Sequence, residues 1–383
     1  MTNINVRIPE STPVQVAAPK SAQRDGKSWR RPRALLLGAL LAALVVVAPF
    51  LLGSFWLQLL LLSGAAGVGA LGLRFLVGVS GQLSLAHAFF IGIGAYGYAK
   101  LGPGVSGATV SSVGLPSAVA ALCAILLAGL VGLLFSPIAA RLRGIYLGLA
   151  TLSLAVFGTD LLRNANSLGG AYGLDTAPLS IGGLRFSVDD PTVAVFGTPF
   201  GTEQALWFLV AVVLGLCFWF MRRMERTRAG RALKAVRDSP AAAASAGIHV
   251  QTYRSLAFVV SSLAAGVTGV LLALIYEHIV PENFGFTLSV LYLAMVVLGG
   301  TGSAVGSLFG ALVVTGLPLI LSEYSSAIPF LTQPGQSGGL DPGTLSQYVF
   351  GIVLIVVLLV RSTPISTKIA GTLRRRRVEE VNS

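Results

Sequence analysis

Apolar runs of about 20 residues, the length that crosses a bilayer as an α-helix, recur along most of this 383-residue chain. Only 11% of its residues are charged, whereas a soluble domain carries about 25%. A water-facing surface would need more polar material, so the predicted fold is an all-α, polytopic helix bundle in a membrane. About ten spans are expected: Ala34–Gly53, Phe55–Leu76, Leu83–Leu101, Leu115–Ile138, Ile145–Leu162, Ala205–Met221, Ser255–Ile275, Leu288–Leu298, Val305–Leu321 and Tyr348–Val360.

Basic residues cluster in an N-terminal tail (1–33), a central loop (222–254) and a C-terminal tail (362–383), each beside an apolar run. Excess Lys and Arg mark the cytoplasmic side, so all three segments are predicted to be cytosolic and to flank or interrupt a transmembrane domain, 34–361. The N-terminal tail is polar enough to be disordered. Ten spans satisfy this pattern and leave the acidic loop Arg163–Gln204 outside. The net charge is +12, but nucleic-acid binding would need a folded basic surface, so none is predicted.

The central loop contains a stretch that favours a helix. Residues 230–246 are rich in Ala, Arg and Leu, and Gly247 is a natural helix stop. A short amphipathic helix held between two spans predicts a docking site for another protein. Its candidate contact residues are Gly230, Arg231, Lys234, Arg237, Asp238, Ala242, Ala243 and Gly247.

Two glycine-rich breaks, Gly78–Gly81 and Gly299–Gly302, interrupt apolar sequence and fall on the cytosolic side of this topology. Breaks at corresponding positions of two halves mark a substrate path in some transporters, but simple tight turns are the favoured explanation. His87 either lines a polar path or bonds a neighbouring helix. The candidate path residues are Gly81, Gln82, Ser84, His87, Gly300, Thr301 and Gly302.

Two sequence patterns that resemble nucleotide-binding motifs lie in the wrong structural context. The G-x-G-x-x-G pattern at Gly92–Gly97 lies inside a span, and Gly26–Ser28 lacks the first glycine of a phosphate-binding loop. The three histidines are not spaced as metal ligands. We therefore predict no enzymatic activity, no metal and no cofactor in this chain.

Two short patterns predict local packing. Asp160 and Arg163 lie three residues apart near the end of the fifth span, which fits a local ion pair. Gly302, Gly306 and Gly310 recur every fourth residue, which favours a small-residue face for close helix packing.

Four blocks, in order, resemble permeases of the branched-chain amino acid ABC transporter family, of the LivM type. The resemblance covers about Ala34–Val360. The blocks are GQLSLAHAFFIGIGAYGYAKL (Gly81–Leu101), RLRGIYLGLATLSLAVF (Arg141–Phe157), GRALKAVRDSPAAAASAGIHVQTYRSLAFVVSSLAAGVTGVLLA (Gly230–Ala273) and VVLGGTGSAVGSLFGALVV (Val296–Val314).

The resemblance implies a multi-pass permease of a prokaryotic plasma membrane that pairs with a second permease subunit. Two ATPase subunits would bind inside and a solute-binding protein would deliver substrate outside. The third block corresponds to the family's coupling loop, which usually carries Glu on both sides of an Ala pair; here Pro240 and Ala244 stand there. The expected cargo is branched-chain or related amino acids, with urea or short amides as an alternative. An ion-coupled secondary transporter, which would need acidic residues deep in the bundle, is an alternative from another class.

Overall fold

Helices make up most of the residues that the computed structural model describes, which are 45–105, 110–142, 144–181, 184–186, 193–195, 198–200, 202–324 and 342–362. Nearly all of both predicted cytosolic tails lies outside these ranges. The α-helices of the described residues are α1 (45–51), α2 (Ser54–Arg74), α3 (His87–Leu101), α4 (Ser117–Arg141), α5 (Ile145–Asn164), α6 (Thr202–Arg226), α7 (Arg228–Asp238), α8 (Pro240–Ser245), α9 (Val250–Tyr276), α10 (Phe286–Gly299), α11 (Ala304–Glu323) and α12 (Pro342–Ser362).

Seven helical stretches of the described residues are long and apolar enough to cross a membrane, so the expected ten is not confirmed. The third predicted span falls short because a non-helical loop precedes His87 and leaves α3 only 15 residues. The first, 34–53, lies mostly outside the described residues, and α12 is not among the seven. The seven stretches are Ser54–Val79, Ser117–Arg141, Ile145–Asn164, Glu203–Arg226, Val250–Tyr276, Pro281–Gly299 and Ala304–Glu323.

The helices α2 and α9 form the centre of the bundle. Their apolar stretches are 83% and 78% buried, more than those of the other five candidate spans. The helix α2 packs against α6, α9, α10 and α11, and α9 packs against α3 and α4. A Cβ on Gly94 of α3 would collide with the backbone of Gly266 in α9, so these two helices approach at backbone distance.

The predicted glycine face is only partly correct. Gly306 and Gly310 of α11 meet the backbone of α10 so closely that no Cβ fits at either position. Gly302 is exposed, and a Cβ added to it would touch no neighbouring atom. It also lies before α11, since the side chain of Ser303 forms the N-cap of that helix. Close packing at this hairpin therefore rests on two of the three glycines.

Among the described residues, three short antiparallel strand pairs accompany the helices. The strand β1 (Leu174–Asp175) pairs with β6 (His278–Ile279), β2 (Leu179–Ile181) with β3 (Leu184–Phe186), and β4 (Val193–Val195) with β5 (Thr198–Phe200). Strands of two or three residues carry too little alternation to be recognised in a sequence. The bundle is thus helical in the main, with small β pairs in its connections.

The pair β1–β6 joins the loop Arg163–Gln204, which is predicted to lie outside, to the connection that follows α9. His278 Nδ1 lies 2.7 Å from Asp175 Oδ1, and the Thr176 hydroxyl donates to the Ala273 carbonyl at the end of α9. Arg163 lies 3.9 Å from Glu282, between exposed side chains. The predicted ion pair between Asp160 and Arg163 is therefore wrong, since a carboxylate that is distant in sequence takes its place.

The helix α9 separates two ends of the bundle. It begins at Val250, just after α8, and ends at Tyr276, beside β6. Its 27 residues extend about 40 Å at the α-helical rise. Both the α7–α8 segment and the β1–β6 pair belong to the compact unit within residues 48–383. They consequently lie at opposite ends of that unit.

Candidate functional site

The predicted helix 230–246 is two helices, α7 and α8. Thr227 caps α7 by accepting from the Gly230 amide at 3.3 Å, and Ser239 caps α8 by accepting from the Ala242 amide at 3.3 Å. The break follows from Pro240, which cannot donate a backbone hydrogen bond and disfavours helical geometry at the residue before it. Ser239 is accordingly extended, with φ −153° and ψ 101°.

The end of α8 has the geometry expected of a glycine stop. Gly247 has φ +79°, a conformation that costs glycine little. Its amide donates to the Ala244 carbonyl at 2.9 Å, and the Ile248 amide donates to the Ala243 carbonyl at 3.0 Å. This pair of bonds is a Schellman motif, which satisfies the last carbonyls of a helix.

The candidate docking residues divide between two faces of the α7–α8 segment. Arg231, Lys234, Arg237, Asp238, Ala242 and Gly247 are exposed. Gly230 is buried together with Leu233 and Val236, which face the bundle. Ala243 is also buried, with 4% of its surface exposed, so it supports α8 from beneath and does not belong to the open face.

Arg237 is fixed inside this chain by two sets of bonds. Its Nη1 donates to the Gly78 carbonyl at 2.6 Å, and its Nε and Nη2 donate to Asp238 Oδ1 at 2.9 and 2.8 Å. Gly81, with φ +72°, packs against the aliphatic part of Arg237. The last turn of α7 is thereby attached to the first glycine-rich break.

The two glycine-rich breaks meet each other. A Cβ on Gly78 would collide with the Thr301 carbonyl, so backbone touches backbone there. Gly300 is buried and ends α10 with φ +88°, Thr301 is half-buried, and Gly302 is exposed. The structure therefore brings together the Gly78–Gly81 break, the Gly299–Gly302 break and the end of α7.

A five-residue π-helix, Phe75–Val79, and the loop after it lead into α3. Gln82 is buried; its amide nitrogen donates to the Ser80 hydroxyl at 2.5 Å and to the Arg254 carbonyl at 3.1 Å, while its Oε1 has no partner among the described residues. Ser84 is buried and accepts from the Ala86 amide at 3.4 Å. The loop thus links α2 and α3 to the first turns of α9.

His87 lies at the start of α3 with 2% of its surface exposed. Its ring centroid lies 5.2 Å from that of Tyr292 in α10. Its Nε2 has no hydrogen-bond partner among the described residues. Ser289 of α10 accepts from the Ala88 amide at 3.0 Å. The side chains of Ser289 and Tyr292 join this polar cluster, and the sequence interpretation missed both.

A buried ion pair lies between α2 and α6. Arg74 Nη1 donates to Glu225 Oε1 at 2.6 Å, with 3% and 18% of these side chains exposed. The sequence interpretation assigned no role to either residue of this pair. The rule that ionisable residues inside apolar spans have specific partners could have singled it out, although not its partner 151 residues away.

Residues 55–358 match the family described as "Branched-chain amino acid transport system / permease component". The chain is 32% identical over 312 residues to the high-affinity branched-chain amino acid transport system permease protein LivM of Escherichia coli, covering 79% of this chain and 71% of the relative. The chain belongs to this permease family.

Relatives of lower identity include a second LivM protein and a permease named for another cargo. A probable branched-chain amino acid transport permease protein LivM of Methanocaldococcus jannaschii is 25% identical over 77% of this chain and 84% of the relative. The galactofuranose transporter permease protein YtfT of E. coli is 27% identical over 53% of this chain and 56% of the relative. No solved structure matches the chain.

Membership defines what kind of component this permease is. Its relatives are permease proteins of transport systems and not enzymes themselves. With several apolar helices in the described residues, the permease is a multi-pass protein of a prokaryotic plasma membrane. Within the described residues, no group of three His, Cys, Asp or Glu side chains is placed to hold a metal ion.

Proposed function

We propose that this chain is the transmembrane subunit of an ATP-driven importer of branched-chain or related amino acids. Membership of the permease family supports this reading. The observation that carries it is the bond from Arg237 to the Gly78 carbonyl, which attaches the α7–α8 segment to the glycine-rich breaks. An ATPase that moves this segment would act directly on the bundle.

The attachment offers a mechanical route with two branches. One runs from α7 through Gly78 to Thr301 and so to the α10–α11 hairpin. The other runs from the start of α9 through Gln82 to α3, because Gln82 bonds the Arg254 carbonyl. In each branch a side-chain donor bonds a backbone carbonyl, and the contact between Gly78 and Thr301 is backbone to backbone. Packed interiors are stiff, so these contacts would transmit a displacement of the segment to the bundle.

The open face of the segment fits a soluble partner. Ala241 and Ala242 are exposed small side chains at the start of α8, while Arg231 and Lys234 are exposed on α7. Small residues let a helix sit in a cleft, and Arg engages acidic groups on its rim. The partners we propose are two ATPase subunits on this side, a second permease subunit, and a solute-binding protein at the β1–β6 end.

The polar cluster around His87 suits a cargo without net charge. Gln82, Ser84 and His87 are polar and buried, and the described residues contain no fully buried, unpaired carboxylate, since Glu225 is 18% exposed and bonded to Arg74. An ion-coupled carrier would need such carboxylates, so the cluster favours the importer. Relatives are also named for galactofuranose and autoinducer 2, so we keep urea or short amides as the alternative cargo of the same importer.

The test substitutes the open face of α8 in the complete transporter, with its ATPase and binding-protein genes co-expressed. Ala242→Glu places a charge on that face, and we expect leucine uptake and ATPase co-purification to fall roughly tenfold or more, as for an unpaired charge at an interface. Ala242→Gln has nearly the size of Glu without its charge and therefore separates the effect of charge from that of size. Ala171→Glu repeats the charge at an exposed residue of the opposite end and should leave ATPase association intact. If Ala242→Glu keeps full leucine uptake and full ATPase association, the α7–α8 segment is only a connection between helices and the proposal is wrong.

A further inference from the structure

A groove lies beside the end of α6, just before the α7–α8 segment. It has a volume of about 580 Å³ and is lined by Phe218, Trp219, Arg222, Arg223, Arg226 and Thr227. Three guanidinium groups and two aromatic rings thus surround one cavity at the terminus of a membrane-crossing helix. Neither the sequence motifs nor the proposed transport path accounts for it.

The positive charge of this groove is not neutralised within the described residues. No Asp or Glu of that part of the chain forms a salt bridge with Arg222, Arg223 or Arg226. Glu225, in the same turn, is turned inward to Arg74. The Arg222 guanidinium lies over the Phe218 ring, 5.5 Å from its centroid, which orders it beside the cavity.

An apolar stripe on α6 leads to the same groove. Val212, Leu216 and Trp219 lie at i, i+4 and i+7, and Arg223 follows at i+11, so all four share one helix face. The three apolar side chains are 59%, 60% and 63% exposed. The apolar stretch of α6 is 17% buried, less than that of any other candidate span. A face of this kind must be covered by lipid or by another chain.

We propose that this groove binds the phosphate headgroup of an anionic phospholipid, with the acyl chains lying along the stripe. The arrangement of apolar stripe, tryptophan and arginines follows the order of chains, glycerol region and phosphate in a lipid. Arg presents paired donors that match phosphate oxygens. Trp favours the interfacial region of a bilayer, and basic pockets at the ends of membrane helices bind anionic headgroups.

The groove also touches the start of the α7–α8 segment. Thr227 lines it and caps α7, accepting from the Gly230 amide and donating to the Met224 carbonyl at 2.7 Å. Arg231 of α7 donates to the Arg226 carbonyl at 3.0 Å. A headgroup bound here contacts the junction through which α6 supports α7. Lipid binding itself does not depend on the proposed transport function.

The test measures lipid binding to the purified full-length chain in detergent by native mass spectrometry. Phosphatidylglycerol and phosphatidylcholine with identical acyl chains are titrated separately. In Arg222→Gln/Arg223→Gln we expect the dissociation constant for phosphatidylglycerol to rise roughly twenty-fold, as for two interfacial arginines. The control, Arg141→Gln/Arg228→Gln, removes the same charge from exposed residues outside the groove and should change it less than twofold.

A conservative variant distinguishes the loss of a binding site from misfolding of the protein. Arg222→Lys/Arg223→Lys keeps the charge but loses the paired donors, so we expect several-fold weaker phosphatidylglycerol binding in a protein that elutes normally on size exclusion. Three results would overturn the proposal. These are equal binding of the two lipids to the wild type, equal weakening in the groove and control variants, and complete displacement of the lipid by soluble glycerol phosphate. Loss of assembly with a second permease, with lipid binding unchanged, would identify the groove as a subunit interface and also refute it.

Discussion

The buried pair Arg74–Glu225 makes an asymmetric prediction about stability. Glu225→Gln leaves the Arg74 cation, 3% exposed, without a counter-ion between α2 and α6. Removing one partner of a buried pair costs about 3–5 kcal/mol. Because Glu225 is 18% exposed and water reaches its side, we expect the lower end, about 3 kcal/mol, for this variant.

The reverse substitution should cost less. Arg74→Met also removes the guanidinium whose burial is itself unfavourable, and the remaining carboxylate has partial access to water, so we expect about 1–2 kcal/mol. The double variant Arg74→Met/Glu225→Gln leaves no charge buried and should lie within about 1 kcal/mol of the wild type. The coupling free energy in this cycle is therefore at least as large as the smaller single effect.

The measurement is reversible unfolding of the purified chain in mixed micelles, followed by circular dichroism as the denaturing detergent fraction rises. The pair Arg163–Glu282 provides a matched control, since its side chains are 61% and 55% exposed and 3.9 Å apart. Such a pair is worth less than about 1 kcal/mol. The prediction is wrong if the effects of the Arg74 and Glu225 substitutions on the free energy of unfolding simply add in the double variant. It is also wrong if the exposed pair gives an equally large coupling free energy.

Two further outcomes follow from backbone contact and from topology. Gly78→Ala pushes a Cβ into the Thr301 carbonyl, so we expect lost uptake and a free energy of unfolding lowered by about 1–3 kcal/mol. The control, Gly351→Ala, adds a Cβ where no atom lies within contact distance, and it should change neither quantity. Equal effects of the two substitutions would refute the contact between Gly78 and Thr301. Ala171→Cys, at an exposed residue of the β1–β6 end, should react with an impermeant thiol reagent in intact cells once both native cysteines are replaced; labelling only after lysis would reverse the proposed orientation.

Local chemistry explains where sequence-based prediction succeeded. Apolar runs defined most helices, because a segment's hydrophobicity does not depend on its neighbours. The Gly247 stop and the existence of a helical segment after α6 followed from propensity alone. The break at Ser239 was also predictable from the sequence, since Pro240 lacks the backbone donor that a continuous helix needs. The prediction of one helix was wrong because the helix propensity of the alanines was given more importance than this proline.

The sequence by itself determined the class of the protein, most of its long apolar helices and the existence of a helical segment after α6, since these depend on composition and short-range pattern. Only the tertiary structure decided that Arg237 reaches Gly78 across 159 positions, that Gly78 meets Thr301, and that Asp175 pairs with His278. It also decided that Ala243 faces inward. Such contacts depend on how the helices pack side by side, and no residue carries that information in its own neighbourhood.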